Sequence, residues 1–138
     1  MSAPADETLD DTALLRGFEA CSLKESDFSH RTHVRVAWLY LTSGVHFEEA
    51  ALRFCRGLRR YTASLGRADR YHETITWAFL AIVSERQRAC AATSFDQFGR
   101  EHPDLFEPRL APLLRFYEAE TLQSELARST FVLPRPGR

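Results

Sequence analysis

Apolar residues recur at helical spacing along nearly the whole chain, and alternating strand-like runs bounded by turn residues are absent. The pattern predicts an all-α, single-domain bundle of about five to six helices with an extended C-terminal segment. A first helix is expected over roughly residues 8–22, with Leu14, Leu15, Phe18 and Cys21 on one face. After the polar break "KESDFS", Asp27 or Ser29 caps a second helix from about His30 to Thr42, closed by Ser43 and Gly44. A third carries Phe47, Ala50, Ala51, Phe54, Leu58 and Leu65 along one stripe and ends at Gly66, a residue suited to a left-handed cap. The fourth is expected from near Tyr71 to about Ala91, with Ile75, Phe79, Ile82 and Val83 facing inward.

Ser94 and Gln97 have the spacing of a capping box for a short fifth helix that Pro103 stops. Two further short helices are expected around Pro108 and Pro112, the last near Ala119–Arg128. The tail "FVLP" is expected to pack on the bundle. Residues 1–7 and 135–138 read as frayed ends.

Composition narrows the class. The chain has 138 residues, 44% of them hydrophobic and 27% charged, enough for a core that needs neither disulfides nor a structural metal. A formal net charge of −1 supplies no overall field toward nucleic acid or an anionic membrane. The acidic start lacks the features of a signal peptide, and no apolar run is long enough to span a bilayer, so a cytoplasmic protein is expected. Cys21, Cys55 and Cys90 contain no CxxC pair and read as small buried hydrophobes.

The candidate chemistry lies in "HRTHVRVAW" and "YHETIT". At about 100° per residue, His30 and His33 fall with Val34, Ala37 and Leu41 on the apolar face of the second helix. His72 falls with Thr76, Phe79 and Val83 on that of the fourth. In an up-down-up arrangement the second and fourth helices run parallel, so their starts share one end. Three imidazoles there form a candidate mononuclear site for a divalent transition metal, Zn, Fe or Cu. Glu73 is the candidate general base, although Thr76 stands where an HExxH motif requires its second histidine. Tyr71, Thr74, Thr76, Arg35 and Trp38 are candidate substrate-binding residues.

The function expected from this site is a metal-dependent enzyme acting on a small, anionic molecule, with hydrolysis or hydration favoured over oxidation. The alternative is a non-catalytic helical module that binds an anion or a protein partner. In the architectural reading, His30 caps or pairs with Asp27, His33 bonds a backbone carbonyl, and Glu73 complements the helix dipole. His46 and His102 read as boundary residues. Arg53, Arg56, Arg60 and Arg67 read as a solvated face, with Glu49 four residues before Arg53.

The segments "FSHRTHVRVAWLYL", "YHETITWAFL" and "FVLP" resemble a group of small bacterial proteins of unassigned function that share H-x-x-H-V and Y-H-E-T-x-T segments. The resemblance runs from about Phe28 to Pro134 and draws attention to His30, His33, His72, Glu73, Thr74 and Thr76. It implies no activity.

Overall fold

A computed structural model describes residues 9–134. The expected frayed ends and the start of the first expected helix, residue 8, lie outside them. Among the described residues the chain is all-helical, with seven α-helices, four short 3-10 turns and no strand. The described residues divide into two compact units, the first ending at Arg70 and the second beginning at Tyr71.

The first unit contains α1 (Asp11–Glu19), α2 (His30–Leu41) and α3 (Phe47–Ser64). Asp10 caps α1 by accepting from the Ala13 N–H at 2.7 Å. Of the two caps expected for α2, Ser29 takes the role, accepting from the Thr32 N–H at 3.2 Å. Helix α3 ends as expected before Gly66, whose φ of +71° is costly for a residue with a Cβ. The core stacks Phe18 on Phe54 and on Phe28, with ring centroids 5.7 and 5.8 Å apart. Gly57 permits this approach in the middle of α3, since a Cβ there would lie 2.5 Å from Phe18 Cε2. The Tyr61 hydroxyl donates to the Leu23 carbonyl at 2.9 Å, so the buried phenol keeps its hydrogen bond.

The second unit is built on α4 (Glu73–Cys90), with α5 (Phe95–Glu101), α6 (Ala119–Gln123) and α7 (Glu125–Ser129). Ile75, Ala78, Phe79 and Ile82 pack against a cluster of Leu113, Tyr117 and Leu122. The expected last helix is divided. Ser124 interrupts it and caps α7 by accepting from the Ala127 N–H at 3.1 Å. In the tail, Val132 packs on the same cluster, while Phe131, Leu133 and Pro134 are exposed, so of the expected docking of "FVLP" only that of Val132 is realised. No helix among the described residues is long and apolar enough to cross a membrane.

Candidate functional site

The residues singled out in the sequence divide between the units. His30, His33, Arg35 and Trp38 lie on α2. Tyr71, His72, Glu73, Thr74 and Thr76 lie at the start of α4. His30 and His33 are one helical turn apart, with ring centroids separated by 6.3 Å. The His33 ring stacks on Phe28 and tilts against Phe54, each at 5.3 Å between centroids, which makes it part of the aromatic core of its unit.

His72 is the N-cap of α4. Its Nδ1 accepts from the Ile75 N–H at 3.0 Å, and its Nε2 lies 2.7 Å from the Leu122 carbonyl oxygen. An amide N–H only donates and a carbonyl oxygen only accepts, so the contacts fix the neutral ring with its proton on Nε2. Both nitrogens are thereby engaged. A metal at His72 would have to displace either the cap or the bond that ties α4 to α6.

Three proposed ligand-contacting side chains have architectural partners. The Thr74 hydroxyl, fully buried, donates to the Thr130 carbonyl at 2.9 Å and accepts from the Val132 N–H at 3.1 Å. Thr76 returns its hydroxyl to the His72 carbonyl at 2.6 Å. The buried Arg35 guanidinium donates to the Leu9 carbonyl and to Asp11, at 2.9 and 2.8 Å, and anchors the start of α1. Trp38 is buried on α2. The Tyr71 hydroxyl donates to Glu73 at 2.7 Å, which orients the carboxylate proposed as a base.

Two other constellations stand out. On the first unit, Arg53, Arg56 and Arg60 line a groove of 560 Å³ with Tyr40, Leu52, Glu19, Glu48 and Glu49. Arg53 bonds Glu49 at 2.7 Å. Burial, then the neighbouring Glu19 carboxylate, pushes the Tyr40 phenol up to about 12, so it remains a donor at neutral pH.

On the second unit, one potential metal-ligating atom each from Cys90, Glu101 and His102 lies within 4.8 Å of the others. Cys90 was expected to be a buried packing residue and is instead half-buried; His102 was expected to be only a boundary residue. A cysteine closing one helix and a Glu-His pair closing the next is the signal that sequence reasoning passed over. It was weak, because periodicity does not show where the far end of a two-turn helix falls.

Compared with family models, with curated proteins and with solved structures, the chain matches none.

Proposed function

We propose that this protein is a binding module for a small anionic molecule, taken up at the guanidinium face of α3. One observation carries the reading. Arg56 and Arg60, about one turn apart, open onto the 560 Å³ groove with neither a hydrogen-bond nor an ion-pair partner among the described residues. Two planar guanidiniums in that relation suit a phosphate or carboxylate group, which accepts several charge-assisted bonds at once. Tyr40 lines the same groove. Glu19, Glu48 and Glu49 also line it, and their charge disfavours an extended polyanion relative to a compact anion.

Inorganic phosphate and pyrophosphate are the probes, titrated while amide resonances of α3 are followed by NMR. Saturable shifts along Arg53–Arg60 are expected, weakening with added salt and lost in the Arg56→Ala/Arg60→Ala double variant. Unshifted α3 resonances, or binding that survives the double variant, would overturn the reading.

A second reading keeps the metal-dependent enzyme. Here His30 and His33, one turn apart on α2, hold the ion, and hydrolysis or hydration is the favoured chemistry. The one-turn spacing of His30 and His33 supports it. Both nitrogens of His72 are engaged within the second unit. This reading requires stoichiometric metal in untagged protein that is lost on replacing His33.

A further inference from the structure

We infer that Cys90, Glu101 and His102 form a binding site for one divalent transition-metal ion of the zinc type in the second unit. Helix α4 ends at Cys90, and Ala91 turns the chain with a left-handed φ of +51°. Ser94 then caps α5, accepting from the Gln97 N–H at 3.1 Å, and Gln97 accepts from the Thr93 N–H at 3.1 Å. This tight connection lets the end of α5 return to the end of α4, bringing a thiol, a carboxylate and an imidazole within 4.8 Å of one another. Tetrahedral zinc with sulfur, nitrogen and oxygen ligands spaces its donors about 3.5 Å apart. The donors close the remaining difference by side-chain rotation on binding.

The second observation is at His102. Its ring packs against Phe98, with centroids 4.8 Å apart, and its Nε2 is buried with no hydrogen-bond partner among the described residues. An unpaired buried polar atom is costly, and a metal bond is one way to satisfy it. Nδ1 lies 3.3 Å from Nη1 of Arg86, a group that only donates. Metal at Nε2 moves the ring proton to Nδ1 and gives up that long contact. Arg86 retains its two 2.8 Å bonds to Asp104, whose carboxyl it holds below the ordinary carboxylate range.

Asp104 neutralises the Arg86 guanidinium beside His102, which leaves the helix ends to favour a cation. Both α4 and α5 direct their C-terminal ends, with their partial negative charge, toward the cluster. Binding replaces the Cys90 thiol proton with the metal and releases it to solvent. Thiolate, imidazole and carboxylate together match zinc rather than magnesium or calcium, which take oxygen ligands. Three protein ligands leave a fourth position for water, and exposed Glu101 puts that position within reach of solvent.

The probes are zinc and cobalt(II), added to untagged full-length protein. One equivalent of zinc should bind in competition with a chromophoric chelator, and cobalt(II) should give a thiolate-to-metal charge-transfer band. Cys90→Ser should abolish the band. His102→Gln should weaken zinc by roughly 100-fold or more, beyond the usual effect of an outer-shell change. Glu101→Gln, at an exposed position, gives an arm that leaves the packing intact and should also weaken binding. Replacing His30 and His33 should change nothing. The inference is overturned if zinc does not bind, or if its affinity survives Cys90→Ser and Glu101→Gln in protein that circular dichroism shows to be folded.

Discussion

Nδ1 of His72 satisfies one of the orphan amides that open α4, and Nε2 holds a carbonyl 50 residues further along the chain. A side chain with two such bonds contributes to stability whether or not a ligand is bound. His72→Ala should therefore lower the unfolding free energy by about 2 kcal/mol, from a lost cap and a lost hydrogen bond at a half-buried site. His72→Asn keeps the cap while losing the reach to Leu122, and should cost about half as much. Urea denaturation of the three proteins measures both values. Equal stability of the wild type and the alanine variant would deny the architectural role. The sequence made the inward face of His72 legible through its spacing from Thr76, Phe79 and Val83. Its partners were not legible, because periodicity identifies a face and says nothing of what a distant segment brings to it.

Among the elements, local signals were read most accurately. The cap at Ser29, the left-handed ending at Gly66, the box at Ser94 and Gln97, and the stop before Pro103 are all short-range stereochemistry, set by residues within one turn. The C-terminal region was less legible, since its form depends on long-range partners. Ser124 divides an otherwise continuous helical pattern, and the extended tail is fastened by Thr74, 56 and 58 residues away. Thr74→Val keeps the shape but leaves the Val132 N–H and the Thr130 carbonyl without this partner. The expected cost is about 2 kcal/mol, with faster proteolysis near residues 130–134. Limited digestion followed by mass spectrometry reads the cleavage positions. Cleavage unchanged from wild type would mean that side-chain packing, not Thr74, holds the tail.

For the whole molecule, net charge is too close to zero to set the pH dependence of stability, so individual buried groups decide it. Three phenols are raised above their ordinary value, with burial the largest cause in each: Tyr40 to about 12, and Tyr61 and Tyr117 in the same direction. In the unfolded chain these groups ionise near about pH 10. Between there and about pH 12 the unfolded state has lost protons that the folded state keeps, so stability falls as pH rises. Below the unfolded value the contribution is fully present and flat. Lys24 is the chain's single lysine, and the remaining basic side chains are arginines that stay charged throughout this window. In the unfolded chain the three thiols also ionise on this limb, so the share of Tyr40 is read from the comparison with Tyr40→Phe. Urea midpoints measured from pH 8 upward should hold level and then drop, with Tyr40 alone accounting for on the order of 2 kcal/mol by the top of the window. Tyr40→Phe should flatten that part of the decline, on a neutral plateau lowered by the lost hydrogen bond to Glu19. A limb of unchanged steepness in the phenylalanine variant would show that the Tyr40 phenol ionises as readily in the folded protein as in the unfolded one.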